Sequence, residues 1–262
     1  MRLIQKWLNA GVMEEGKRTY PGEGTPQGGS ISPLLANLYL HYVFDLWANQ
    51  WRRKQSAGEV IIVRYADDFV VGFEKKTDAE RFLAELRERF QRFGLELHAD
   101  KTRLIEFGRF AATNRQVRGV GKPETFDFLG FTHICATARN GGFQLRRVTM
   151  RKRLRRKLQA VKTEISRRLH MRKALVGAWL NAVLRGHYGY YGVPGNIQAL
   201  KQFRDQIIRF WKRALGRRSQ KATMTWERMQ RLVQLFLPPA RIVHPYPNQR
   251  LVVTTGGRSP VR

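Results

Sequence analysis

The chain of 262 residues carries 49 Lys and Arg against 20 Asp and Glu, a net charge of +29. That length buries a substantial core, in one large or two modest domains, and 42% hydrophobic residues exclude a disordered chain. No apolar run approaches the ~18 residues of a membrane span, the single Cys135 excludes a disulfide framework or a Cys-rich zinc site, and Met1–Trp7 lacks the layout of a signal peptide, so a cytoplasmic protein with no membrane partner is expected.

In chain order, Leu3, Ile4, Trp7, Leu8 and Val12 recur at helical spacing until Gly11 and Gly16 interrupt them. Gly22 to Gly29 is too rich in Gly and Pro for regular structure and reads as a loop whose backbone can approach a ligand closely. Ser32 as N-cap and Pro33 as first helical residue predict a helix through Leu34, Leu35, Leu38, Tyr42 and Leu46 to about Trp51. Val60–Tyr65 and Phe69–Phe73 are β-rich runs separated by Ala66-Asp67-Asp68, a hairpin with two carboxylates at its tip. Thr77 or Asp78 caps a helix with Ala79, Phe82, Leu83, Leu86 and Phe90 on one face, ending at Gly94. A strand over Thr102–Phe107, a polar stretch, and a second hairpin follow, the last pairing Phe126–Ala136 with Phe143–Val148 around Arg139-Asn140-Gly141-Gly142.

From Arg151 the apolar period changes from two to 3.6. Leu154, Leu158, Val161, Ile165 and Leu169 stripe one helix, Leu175, Ala178, Trp179, Ala182 and Val183 a second, and Leu200, Phe203, Ile207, Trp211 and Leu215 a third. An aromatic turn containing Tyr188, Tyr190 and Tyr191 joins the last two, and a short helix over Thr225–Phe236 precedes an irregular Pro-rich tail. The fold class is α+β: residues 1–148 mixed, 149–236 a helical bundle, 237–262 a basic tail. Charge follows the same division. Basic residues exceed acidic ones by 21 between Arg146 and Arg231, but by only 4 over Met1–Leu145. Such an excess repels itself unless a polyanion neutralises it, which points to nucleic acid.

Asp67 and Asp68 fit two readings. Asp is favoured in turns for its local hydrogen bonds; equally, a sharp turn at a sheet rim can hold oxygen ligands that share Mg²⁺ with a nucleoside triphosphate. The six histidines, His133 and His187 among them, show no metal-ligand spacing.

Three motifs in order carry a resemblance: Gly24-Thr25-Pro26-Gln27-Gly28-Gly29-Ser30-Ile31-Ser32-Pro33-Leu34-Leu35-Ala36-Asn37, then Arg64-Tyr65-Ala66-Asp67-Asp68-Phe69, then Asp127-Phe128-Leu129-Gly130-Phe131. Together the set resembles the group II intron reverse transcriptase/maturase family, and Trp179-Leu180-Asn181 and Gly189-Tyr190-Tyr191 resemble that family's thumb, or maturase-specific, region. The resemblance runs from about Arg2 to Pro247 and implies a partial polymerase palm followed by an all-α basic thumb. It implies Mg²⁺-dependent nucleotidyl transfer, with intron RNA, primer, template and deoxynucleotides as partners.

Carried over residue by residue, Asp67 and Asp68 become metal ligands, and Tyr65 and Ala66 touch the primer end or incoming nucleotide. Pro26, Gln27, Gly28 and Gly29 lie against the template. Phe128, Leu129, Gly130 and Phe131 form the primer grip. Lys101 matches the place where polymerase palms carry a lysine near the triphosphate, where it would stabilise departing pyrophosphate; a solvated lysine at a strand start reads as well. On the first thumb helix, Arg151, Arg153, Arg155, Arg156, Lys157, Arg167 and Arg168 are the expected RNA contacts.

One element of the family pattern does not match. The palm's first strand carries another metal-binding aspartate, yet the carboxylates before Pro26 are Glu14, Glu15 and Glu23, none after an apolar β run. The sequence therefore leads us to expect a C-terminal part of a longer enzyme with an incomplete two-metal site and low activity, to which a separate N-terminal fragment could add the rest. A non-catalytic RNA-binding splicing factor and a degenerate remnant are the other readings.

Overall fold

A computed structural model describes residues 6, 12–14, 17–19, 31–138, 140–218 and 224–246, and the chain divides into two units, Met1–Ile105 and Glu106–Arg262. The template loop expected at Pro26, Gln27, Gly28 and Gly29 lies outside the described residues. So does Arg139 of the second hairpin's turn.

In the first unit β1 (Val12–Glu14) pairs antiparallel with β2 (Lys17–Thr19), so Val12 belongs to a strand rather than to the opening helix. Then α1 (Ser32–Leu40) runs through a π-helical turn (His41–Asp45) into α2 (Leu46–Lys54). Pro33 sits in the first turn as expected, but Ser32 is not the cap. Leu34 N–H and Leu35 N–H both donate to the Ile31 carbonyl, which starts the helix one residue earlier. The stripe Leu34, Leu38, Tyr42 and Leu46 is exposed, and Val43, Phe44, Ala48 and Trp51 are buried instead. A π turn inserts an extra residue, which rotates the helix after it by about 100° and changes the face that meets the core.

Strands β3 (Val60–Tyr65) and β4 (Asp68–Phe73) pair antiparallel, Val60 opposite Phe73 and Tyr65 opposite Asp68. Ile62, Phe69, Val71 and Phe73 pack on a core formed by Val43, Phe44, Ala48, Trp51 and Val60 with Phe82, Leu86 and Phe90 of α3 (Lys76–Arg92). Asp78 does not cap α3. Its buried carboxylate accepts from Ala57 N–H at 2.8 Å and Gly58 N–H at 3.1 Å, tying the loop before β3 to the helix. No strand forms over 102–107. The β3–β4 sheet has two strands among the described residues, and a β run without a partner has no ladder to join.

The second unit opens with a short helix, α4 (Ala111–Val117), in the stretch expected to be polar connection. Strands β5 (Phe126–Phe128), β6 (Phe131–Thr137) and β7 (Phe143–Thr149) follow as an antiparallel sheet with β6 in the middle. The single run expected over Phe126–Ala136 is therefore two strands, broken at Leu129-Gly130.

Four helices complete this unit: α5 (Arg151–Arg167), α6 (Lys173–Tyr191), α7 (Ile197–Gly216) and α8 (Trp226–Phe236). The α7 stripe is buried as the spacing predicts. That of α6 is one residue out of phase: Val176, Leu180, Leu184 and Tyr188 face the core, and Leu175 is exposed. Gly177 lies on the same buried face. A Cβ there would lie 2.5 Å from Cγ of Phe236, so the bare backbone at this position is what lets α8 seat its ring on α6.

Asn196, buried between α6 and α7, accepts from Thr149 N–H at 3.0 Å and donates to Thr149 Oγ1 and the Tyr191 carbonyl, both at 2.8 Å. These bonds join the end of β7 to the helices. The change of period near Val148 thus falls inside the second unit, and the units themselves divide at Ile105/Glu106. Among the described residues no helix is long and apolar enough to cross a membrane.

Candidate functional site

In the first unit the β3–β4 connection is the shortest a hairpin allows. Tyr65 pairs with Asp68, leaving Ala66 and Asp67 as the two turn residues, so Asp67 sits in the turn and Asp68 opens β4. Tyr65, Ala66, Asp67 and Asp68 are all exposed. Ala66 has φ +54°, a left-handed conformation that costs a non-glycine residue about 1–2 kcal/mol and is retained only where the surroundings enforce it.

Arg64 bonds to this turn from the neighbouring strand position. Its Nε and Nη2 donate to the two carboxylate oxygens of Asp45 at 2.7 and 2.6 Å, and its Nη1 donates to the Ala66 carbonyl and to Asn37 Oδ1, both at 2.8 Å. The bidentate bond from Arg64 holds the Asp45 carboxyl below the usual carboxylate range. The Arg64 guanidinium is taken by Asp45, and neither Asp67 nor Asp68 has an ion-pair partner among the described residues. Two exposed, unpaired, adjacent carboxylates are the donor set that Mg²⁺ takes alongside substrate phosphates, so the residues fit that ion. Among the described residues no group of three acidic, His or Cys side chains converges on one point, so Asp67 and Asp68 stand as a pair.

Lys101 is exposed, in a short turn where its N–H and that of Thr102 donate to the His98 carbonyl at 3.2 and 2.9 Å. No hydrogen bond or ion pair among the described residues joins Lys101 to the β3–β4 turn.

In the second unit Phe128 pairs with Phe131 across a second two-residue turn, Leu129 at φ +48° and Gly130 at φ +79°. Positive φ at both central positions is the type I′ arrangement that matches strand twist. Glycine suits the φ of position 130, and a Cβ there would press on the ends of two side chains, Tyr191 Oη at 3.0 Å and Arg153 Nη1 at 3.2 Å. Tyr190 Oη donates to the Leu129 carbonyl at 2.8 Å, and Met150 N–H donates to the Gly130 carbonyl at 3.0 Å. The Leu129-Gly130 turn at the centre of the expected primer grip is therefore held by Tyr190 in the last turn of α6 and by Met150, the residue before α5.

Beside this turn a groove of about 830 Å³ runs between α5 and α6, with Arg153, Arg156 and Lys157 on one wall and Gly186 and Tyr190 on the other. Arg151 and Arg155 are exposed on the same helix. Arg167 and Arg168 differ: both pair with Glu164, at 3.6 and 2.7 Å, and the Arg168 guanidinium lies 4.8 Å from the Trp179 ring centre. Of the expected basic contacts, these two already have partners inside the protein.

Sequence reasoning gives no role to Asn37, Asp45 or Asn196. Asn37 and Arg64 lie within the Gly24–Asn37 and Arg64–Phe69 motifs, whereas Asp45 and Asn196 act through partners 19 and 47 positions away and leave no local pattern.

Comparison with known proteins bears on both units. Residues 1–133 match the family model for reverse transcriptase (RNA-dependent DNA polymerase). Shorter stretches are similar to the uncharacterized 91 kDa protein in cob intron of Schizosaccharomyces pombe, 47% identical over 19% of this chain and 6% of that protein. Another relative is the group II intron-encoded protein LtrA of Lactococcus lactis subsp. cremoris, 55% identical over 15% of this chain and 7% of its own length. Protein YkfC of Escherichia coli is 33% identical over 40% of this chain and 34% of YkfC. These matches span from 6% to 34% of the relatives' lengths. With the family model covering half the sequence, including the Tyr65-Ala66-Asp67-Asp68 turn and the Phe128–Phe131 turn, the chain belongs to the reverse transcriptase (RNA-dependent DNA polymerase) family, with intron-encoded proteins among its relatives.

Proposed function

We propose that the chain carries metal- and primer-binding parts of an RNA-directed DNA polymerase that also binds intron RNA. The observation that carries this reading is the exposed adjacent pair Asp67, in the two-residue turn, and Asp68, first residue of β4, neither with an ion-pair partner among the described residues. Asp67 and Asp68 would hold Mg²⁺, which supplies activation of the primer hydroxyl and neutralises charge on the phosphates. Tyr65 and Ala66 present the turn to the nucleotide, Pro26–Gly29 approaches the template, and Lys101 offers positive charge to the departing diphosphate. Leu129 and Gly130 seat the primer end, and the exposed arginines of α5 bind RNA phosphates.

The test is Mg²⁺-dependent extension of a DNA primer on an RNA template by the purified chain. Asp67→Ala is expected to lower extension at least about 100-fold, the loss of roughly 2.7 kcal/mol of transition-state stabilisation. A second reading, RNA binding without polymerisation, is favoured by the basic α5 face. Tight RNA binding with no extension, or extension indifferent to Asp67→Ala, would select it.

A further inference from the structure

We propose that Arg64 is a positioning residue of the site, and that Asp45 keeps it in that role: together they lock the β3–β4 turn onto the π turn and α1 so that Asp67 is presented in one orientation. This rests on the reading of Asp67 as a metal ligand.

Three elements meet on one guanidinium. Asp45, last residue of the π turn, takes Nε and Nη2 in a fork-to-fork bond at 2.7 and 2.6 Å. Asn37 of α1 takes Nη1 through its Oδ1 at 2.8 Å, while its own Nδ2 donates to the Pro33 carbonyl at 2.9 Å, which fixes the amide's orientation. The same Nη1 reaches the Ala66 carbonyl at 2.8 Å. Only one of these bonds goes to the turn, but it grips the residue whose left-handed backbone determines where Asp67 points.

The chemistry is specific to arginine. A lysine ammonium is a point charge and cannot bond both Asp45 oxygens while also reaching the Ala66 carbonyl. Asp45 has a second effect. By taking Nε and Nη2, Asp45 neutralises a cation that stands three residues from Asp67 and four from Asp68. The π turn fits this role, since an extra residue in a helix re-aims the side chains that follow it, and such turns gather at functional sites.

The experiment uses the full chain with Arg64→Lys, Asp45→Asn and, as reference, Asp67→Ala. Two readouts are taken: amide hydrogen exchange of the segment Tyr65–Phe69, and Mn²⁺ affinity by electron paramagnetic resonance. Both Arg64→Lys and Asp45→Asn are expected to speed exchange in that segment at least tenfold, with α3 around Leu86 and Phe90 unchanged, and to weaken Mn²⁺ binding about tenfold. Exchange unchanged in the turn, exchange that rises equally in α3, or Mn²⁺ affinity unmoved despite faster exchange each overturns the positioning role. Absence of Mn²⁺ binding that depends on Asp67 in the unsubstituted chain instead overturns the metal reading, and the exchange data still decide whether Arg64 locks the turn.

Discussion

Tyr190 donates its phenolic hydrogen to the Leu129 carbonyl at 2.8 Å while its ring stacks on Phe131 at 5.9 Å between centres. The last turn of α6 thus holds a strained turn from two sides, since Leu129 occupies a left-handed conformation at φ +48°. A leucine has no conformational reason to be there. Asn-Gly is the pair that a type I′ turn favours, because Asn tolerates positive φ.

Leu129→Asn is therefore expected to stabilise the second unit by about 0.5–1 kcal/mol, read as a rise in urea midpoint, by relieving that strain. If Leu129 also seats the primer end, the same variant weakens binding of a primer–template duplex. A variant that is less stable than the parent would show that Leu129 contributes more by packing than it costs by strain.

Gly177→Ala tests the seat of α8. Its Cβ would sit 2.5 Å from Cγ of Phe236 and 2.8 Å from both Cδ atoms, so the ring must move or α8 must lift. A loss of about 1–3 kcal/mol is expected, the usual cost of overpacking. Phe236→Leu in the same chain should recover part of it, a coupling measurable in a double-mutant cycle by thermal unfolding. Additive losses would mean that α8 adjusts without strain.

Helices α6 and α7 show where the sequence is legible and where it is not. Leu200, Phe203, Ile207, Trp211 and Leu215 are bulky residues on one face of α7, and their spacing alone identifies the buried stripe. On α6 the packed face, Gly177 included, holds Val176, Leu180, Leu184 and Tyr188 at a spacing as regular as that of the apolar residues beside them, so pattern alone does not choose between the two, and Leu175 is exposed. On α1 and α2 the π turn at His41–Asp45 defeats a period of 3.6, so Leu34, Leu38, Tyr42 and Leu46 read as a core face although Val43 and Phe44 are buried. The hairpin carrying Asp67 and Asp68 is plain, since two β-rich runs flank Ala66-Asp67-Asp68, although Asp68 belongs to β4 and only Ala66 and Asp67 form the turn. Its anchor is not, because the bond from Arg64 to Asp45 joins positions with no periodic relation. Thr102–Phe107 has the composition of a strand, but a strand also needs a neighbour.

The groove between α5 and α6 and the α5 face beyond it make separable predictions about RNA. Replacing Arg153, Arg156 and Lys157 together by Gln is expected to reduce the steepness of log affinity against log salt by roughly 2 on single-stranded RNA, at about 0.7 for each phosphate that is no longer neutralised. Replacing Arg167 and Arg168 should change that slope far less, because both already pair with Glu164 and Arg168 lies over Trp179. Removing these two side chains should instead lower stability by up to about 1 kcal/mol. Equal slopes for the two sets of variants would remove the groove from the binding surface.

His187 gives the second unit a dependence on pH. The ring is buried, stacked on Phe203 at 3.8 Å, and its Nε2 has no partner among the described residues. Burial first, and then the charge of Lys157, push its pKa down to about 4 from the ordinary 6.5. Above pH 6.5 the folded and unfolded chains both hold it neutral, and it contributes no pH dependence. As pH falls below that value the unfolded chain takes up a proton that the folded chain refuses, so stability decreases until about pH 4, by up to about 3 kcal/mol. His187→Phe keeps the ring on Phe203 and removes the titration. Urea unfolding of the two proteins between pH 7.5 and 4.5 should therefore diverge, the variant losing less stability as the pH is lowered. Parallel curves would mean that the folded protein admits the proton at His187, with solvent or a carbonyl reaching Nε2.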